Sequence, residues 1–281
     1  MNAEKTNYDL LYNPRLTVAG YEDIFARWDR DSERARARLD CYLDVPYGPA
    51  SSETLDLFRA AGESRGLLMY IHGGFWRALD KKRFSFVAPA LVEAGITVAV
   101  VDYALCPSVQ VADIVMQMVQ ASAWLYRNGG NFGAPAARLA VCGHSAGGHL
   151  AAMMLACDWP SYAPDLPRNV VSGAMSISGL YDLTEIVKVP SVNGDVRLTE
   201  QAALKVSPAF LPPATDAPLY TAIGTEEIEG FHIQNRLIAE RWGSVRRGNL
   251  TCPGKNHFTV LDELCDPRSP VFASLQELAG R

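Results

Sequence analysis

Short, continuously apolar runs dominate the middle and later parts of the chain: Leu67–Ile71, Ile96–Val101, Arg138–Cys142, Val171–Ile177, Pro218–Ile223 and Arg246–Cys252. Most are rich in β-branched residues and do not alternate with polar ones, as expected of strands covered on both faces. Helical patterns separate them at residues 80–94, 110–128, 145–157 and 230–243, and a last amphipathic segment runs from about Val271 to Leu278. Alternating strand and helix of this kind builds a parallel sheet with helices on both faces. Upstream, Leu39–Gly48 and Glu53–Ala60 alternate apolar and polar residues around Pro49–Ser52, which predicts an antiparallel hairpin at the sheet edge. Together these make a mostly parallel, eight-stranded α/β sheet. Tyr21–Leu39 is expected to be a charged amphipathic helix, its interspersed acids marking a solvated face. The residues from about 180 to 215, with a proline-rich stretch at Ser207–Pro218, suggest a small lid inserted at a strand end within a single domain, 1–281.

Composition narrows the partners. The 281 residues are 48% hydrophobic and carry a net charge of −5, with no basic run longer than Lys81–Arg83, which argues against nucleic acid. No apolar stretch approaches the ~18 residues needed to cross a bilayer. Met1–Arg15 lacks the apolar core of a secretory signal. The expectation is a soluble, cytoplasmic protein without membrane or nucleic-acid partners, acting on a small molecule, with a homodimer allowed. Cysteines 41, 106, 142, 157, 252 and 265 contain no Cys-x-x-Cys pair. They are expected to be reduced, several of them as small core hydrophobes.

One turn carries a chemical signal. Gly143, His144, Ser145, Ala146 and Gly147 form G-x-S-x-G between an apolar strand and a helical stretch, with Gly148 following. Glycine inside a helix costs roughly 1 kcal/mol relative to alanine, so its repetition here calls for a cause. A serine raised on a sharp strand-to-helix turn requires glycine two residues before and two after it. Ser145 is therefore the candidate nucleophile, and a serine hydroxyl needs a base within reach.

The histidines are 72, 144, 149, 232 and 257. His144 adjoins the serine and its ring is expected to point away from the turn, His149 lies on the following helix, and His232 lies on the 230–243 helix. His257 falls in the loop after the last strand, on the sheet edge where the serine turn opens, and is the candidate base. The third member, a carboxylate holding the imidazole, should follow the preceding strand. Glu226, Glu227 and Glu229 all qualify, with Glu227 favoured by its place three residues after Gly224. Acyl transfer also needs donors for an oxyanion. His72, Gly73 and Gly74 directly follow a strand, and the backbone N–H groups of Gly73, Gly74 or Phe75, with Ala146, are the candidates. Phe75, Trp76 and Tyr103, together with His144, are candidate substrate contacts. No His-Glu-x-x-His run occurs and His144 and His149 are spaced wrongly for one helix face, so neither metal nor cofactor is expected.

Taken together, the stretches His72–Trp76, Asp102–Pro107, Gly143–Ala152 and Asn256–Phe258 resemble an α/β-hydrolase of the hormone-sensitive-lipase-like esterase group. Tyr12–Arg15 and the Asp44–Phe58 hairpin narrow the resemblance to the kynurenine formamidase (arylformamidase) branch. The resemblance implies an α/β-hydrolase fold and a serine hydrolase cleaving an N-formyl arylamide or a short-chain ester through an acyl-enzyme. A general carboxylesterase or lactonase, or a non-catalytic binder on the same fold, are the alternatives. Two departures stand out: Phe75 where the branch often has tyrosine, and glutamate at 227 where the acid is usually aspartate.

Overall fold

The computed structural model describes residues 6–135 and 138–280, so Met1–Lys5 of the amino-terminal segment lie outside it. The strands are β1 (Cys41–Pro46), β2 (Thr54–Phe58), β3 (Gly66–Ile71), β4 (Ile96–Val101), β5 (Leu139–His144), β6 (Val171–Ile177), β7 (Leu219–Gly224) and β8 (Arg246–Cys252). They join one eight-stranded sheet in the order β1-β2-β4-β3-β5-β6-β7-β8. The hairpin β1–β2 is antiparallel, β2 pairs antiparallel with β4, and every other pairing is parallel.

Burial follows this order. All six residues of β3 are buried, because Leu67, Met69 and Ile71 enter one core while Leu68 and Tyr70 enter the other. At the edge, β8 alternates half-buried and exposed positions up to the buried Cys252, as a strand without an outer neighbour should. The main helices are α1 (Tyr21–Arg38), α2 (Val111–Asn128), α3 (Ala146–Leu155), α4 (Glu229–Arg241) and α5 (Pro270–Gly280). Residues of α2, α3 and α4 fill one core; those of α1 and α5 fill the other.

Two expected elements differ in detail. The helix expected at 80–94 is a 3₁₀ turn over Lys81–Val87 followed by an α-helix over Ala88–Glu93. Pro89 has no N–H to give and fits only the first turn of the helix it opens, so regular α geometry begins there. The insert at 180–215 consists of the short helices Thr184–Val187, Pro190–Val196 and Glu200–Lys205 and a 3₁₀ turn, Pro208–Phe210.

The chain reverses direction across the sheet between β3 and β5: from β3 it passes to β4 on one side, and from β5 to β6 on the other. Loops leaving the carboxyl ends of two such strands part from each other and open a crevice. The segment Lys81–Val87 forms part of one wall of that crevice through Phe84. It is pinned to the edge hairpin by Lys81, which is 2% exposed and bonds Asp44 Oδ1 at 2.5 Å and Asp56 Oδ1 at 2.6 Å. Removing one partner of a buried ion pair leaves an uncompensated charge and costs about 3–5 kcal/mol. Lys81→Met should therefore lower the free energy of unfolding in urea by that order, and Asp56→Asn added to it should recover a large part. Wild-type stability in the single variant would show that the Lys81 cluster does not hold this wall.

Candidate active site

Three glycines shape the serine turn. A Cβ on Gly143 would lie 2.0 Å from the Gly147 carbonyl oxygen, and one on Gly147 would lie 2.0 Å from that of Ile71 on β3. A Cβ on Gly148 would come within 2.8 Å of Ser176 Oγ. The start of α3 is thus pressed against β3 and β5 at backbone contact. Ser145 takes up the resulting kink at φ 57° and ψ −119°, a conformation that costs of order 1–3 kcal/mol for a residue with a side chain. Its N–H donates to Ile177 O at 2.9 Å and its carbonyl accepts from His149 N at 3.0 Å, so the kink is held at both ends.

His257 sits in the loop after β8, where Asn256 Oδ1 accepts from Phe258 N and Thr259 N, both at 3.0 Å. Its Nδ1 bonds Glu227 Oε2 at 2.7 Å, with both side chains almost wholly buried. The other carboxylate oxygen accepts from Gly224 N at 3.0 Å and from the Ser178 hydroxyl. Glu227 is therefore fixed by three donors, and the neighbouring glutamates are not brought to the histidine. Glu226 is exposed, and Glu229 pairs with Arg236 in the first turns of α4. Ser178, at φ 49° on the end of β6, was not among the expected site residues. The available signal was a Ser-Gly pair ending a strand on the same edge as the serine turn.

The strand end after β3 supplies the other half. A Cβ on Gly73 would meet Ser145 Cβ at 3.2 Å, so only glycine lets this backbone run beside the serine. Gly74, Phe75 and Trp76 follow at φ 116°, 52° and 56°. The N–H groups of Gly73, Gly74 and Phe75 donate to no described acceptor. Ala146 N, first in α3, has no carbonyl within its own helix to serve. These N–H groups are free to meet an oxyanion.

Trp76 and Tyr103, expected as substrate contacts, are buried in the core and do not line the cleft. Each instead braces the loop from behind. Tyr103 stacks on His72 with ring centroids 4.2 Å apart and donates to His72 O at 2.9 Å. Trp76 Nε1 donates to His149 Nδ1 at 3.2 Å, while His149 Nε2 donates to Val206 O at 2.7 Å. Phe75 does line the cleft.

His144 corrects a second expectation. Its ring does not turn away but lines the cleft beside Ser145, 4.6 Å from the His257 ring between centroids, and its Nε2 donates to His257 O at 2.8 Å. The serine leaves the strand direction at the kink, so successive side chains no longer alternate between faces. Burial, and then the nearby His257, hold the His144 pKa well below 6.5.

The cleft opens between Ser145, His257 and the Gly73–Phe75 loop on one side and an aromatic wall on the other. That wall is Phe25 and Trp28 of α1, Phe84 and Phe258, completed by Pro14 and Arg15. None of it comes from the 180–215 insert; the amino-terminal part contributes Pro14, Arg15, Phe25 and Trp28 to the lining. Ser145 Oγ makes no hydrogen bond to a described residue in this state, and catalytic hydrogen bonds commonly tighten only when substrate binds.

One crevice thus brings together a strained serine, an imidazole held by a buried carboxylate, and unengaged backbone donors. The α/β-hydrolase-fold family matches residues 68–232, and the chain belongs to it. It is 31% identical to a kynurenine formamidase of Salmo salar over 260 residues, 89% of this chain and 86% of that one. Among solved structures, it is similar to a candidate thioesterase from Silicibacter sp. TM1040, at 30% identity and TM-score 0.85, covering 94% of this chain and 96% of that one. Esterase B from Lactobacillus rhamnosis shares the fold at TM-score 0.69 and 15% identity, over 93% of this chain and 96% of that one. The protein is a hydrolase. No helix among the described residues is long and apolar enough to cross a membrane.

The buried histidines make stability depend on pH. Burial lowers the His149 pKa from 6.5 to about 4. Between those values the unfolded chain takes up a proton that the folded ring refuses, so stability is full above about pH 6.5 and falls as pH drops. The loss at pH 4 amounts to about 3 kcal/mol. Urea midpoints at pH 7.5 and 4.5 should show this fall, and a smaller one in His149→Gln; equal falls would rule His149 out as a source.

Proposed function

We propose that the protein cleaves an N-formyl arylamide, of the N-formylkynurenine type, or a short-chain ester through an acyl-enzyme on Ser145. The observation that carries this reading is the buried Glu227–His257 pair, bonded at 2.7 Å, whose imidazole lines one cleft with the serine. Glu227 holds Nδ1–H, which leaves His257 Nε2 to take the Ser145 proton as Oγ attacks the carbonyl carbon. Negative charge then develops on the carbonyl oxygen, where the N–H groups of Ala146 and of the Gly73–Phe75 loop are placed to receive it. The imidazolium returns its proton to the leaving arylamine or alcohol, and water reverses the sequence to release the acid. The aromatic wall of Phe25, Trp28, Phe84 and Phe258 suits a flat aryl leaving group. The similarity to a kynurenine formamidase along most of both chains supports the formamide branch of this chemistry. Six free thiols suit a cytosolic setting.

Ser145→Ala should abolish both turnover and labelling by a fluorophosphonate probe. His257→Ala should lower kcat by about 10³-fold or more, and Glu227→Gln by less, since the base survives without its orienting partner. Full activity in either the serine or the histidine variant would reassign the chemistry.

Acyl chain length separates the two substrate classes. A formyl-selective site has little room beside Ser145, so each added methylene meets a steric penalty in place of the ~0.8 kcal/mol gained by burial. Formyl and acetyl esters should exceed butyryl and longer ones in kcat/KM, and N-formylkynurenine should be hydrolysed. A maximum at hexanoyl or octanoyl, with N-formylkynurenine untouched, would establish the general carboxylesterase instead.

A further inference from the structure

The proposed reaction needs only the serine, its partners and an oxyanion site, yet the cleft also holds a charge that none of these uses. Arg15 is the one Asp, Glu, Lys or Arg side chain among the described residues that line it. This is a conspicuous choice in a chain whose net charge is −5. Asn13 fixes the backbone there, its Oδ1 accepting from Arg15 N at 3.2 Å at the start of a 3₁₀ turn, Pro14–Leu16. The guanidinium lies 5.5 Å from the Phe25 ring centroid and 5.9 Å from that of Tyr21. An arginine held over aromatic rings is presented as a planar, pre-organised fork, the geometry that recognises carboxylates.

The surrounding charges are already matched among themselves. Arg83 is held by both oxygens of Asp29, at 2.7 and 2.8 Å, and Arg77 pairs with Asp195. Arg15 has no ion pair or side-chain hydrogen bond with any described residue. Burial draws its pKa below the usual arginine value; the Tyr21 hydroxyl opposes this and the nearby Arg77 and Arg83 add to it. A second donor is idle in the same wall. Trp28 is 2% exposed, lines the cleft, and its indole N–H is buried without an acceptor. A buried donor without a partner costs about 1–3 kcal/mol, a cost that an acceptor on a ligand removes.

We propose that Arg15, assisted by Trp28 Nε1, forms a carboxylate-binding subsite that selects substrates carrying an anionic group on the side away from Ser145. The proposal rests on the hydrolase reading above and adds to it the residues that recognise the carboxylate an N-formylkynurenine-type substrate carries. Arg15 binds and orients; it takes no part in bond making.

The test compares matched pairs that differ only in charge. One pair is 3-acetoxybenzoate and 3-acetoxybenzamide; the other is N-formylkynurenine and its α-carboxamide. For each pair the ratio of kcat/KM, carboxylate over neutral, is measured in the wild type, Arg15→Gln, Arg15→Lys and Trp28→Phe. The expected result is a ratio that falls at least tenfold in Arg15→Gln, mainly through KM, with partial recovery in Arg15→Lys and a smaller fall in Trp28→Phe. The wild-type ratio should also decline with added sodium chloride, because Arg15 is an exposed residue at the rim of the cleft and salt screens its charge. An unchanged ratio in Arg15→Gln for every pair the enzyme hydrolyses overturns the subsite. The two ideas fail separately. If the formyl pair is not hydrolysed but the acetoxy pair shows the loss, the subsite stands and the formamidase assignment falls. If the formyl pair is hydrolysed with a ratio indifferent to Arg15, the reverse holds.

Discussion

There is no room for a methyl group at Gly143 or Gly147, and the geometry of the site follows from that contact. With no Cβ at either position, the first turn of α3 settles onto the Ile71 carbonyl of β3 and onto Gly143 of β5 at backbone distance. The chain can meet that approach only by bending through Ser145 at positive φ, which lifts the hydroxyl off the sheet and turns the N-terminus of α3 toward the same spot. The Gly73 backbone then passes alongside, again without a Cβ. Close packing produces the strain, and the bonds from Ser145 to Ile177 and His149 keep it from relaxing.

The carboxylate and imidazole depend on a parallel piece of geometry at the far strands. A Cβ on Gly224 would lie 2.0 Å from Lys255 O, so the turn after β7 rests directly against the loop that carries His257. That contact sets Glu227, three residues on, within reach of the ring. It also explains why one glutamate of three is chosen: the turn buries position 227 and leaves 226 in solvent.

Much of this was legible because it is written locally. The continuous apolar runs gave the sheet, since a strand covered on both faces has no polar alternation to offer. The glycines around Ser145 and at 73 and 74 marked places where backbone meets backbone. The chain order of strand-end loops brought His257 and Glu227 into consideration together. What was not legible depends on docking between distant segments. The apolar stripe of α1 reads the same whether it meets core or cleft, so Phe25 and Trp28 gave no sign that they wall the site. Trp76 and Tyr103 looked like contacts for an aromatic ligand, yet each has a protein partner, His149 and His72, that only the fold reveals. His144 was misjudged because strand alternation was carried one residue too far, across the kink. The insert at 180–215 has the length and proline content of a lid, but nothing in its composition says which loop it lies beside.

The Phe25 and Phe258 rings stand 5.2 Å apart, edge to face, and Arg27 bonds Asp262 Oδ1 at 2.8 Å. Residues more than two hundred positions apart therefore meet at and beside the aromatic wall and act as a clasp. Ser145, Glu227 and His257 are anchored at the strand ends of the sheet, whereas the aromatic wall is anchored largely in this clasp. On the proposed reading, chemistry and discrimination rest on different parts of the molecule. Changes at Pro14, Arg15, Phe25 and Trp28 would then alter which molecule is admitted and leave the groups that cut it as they were.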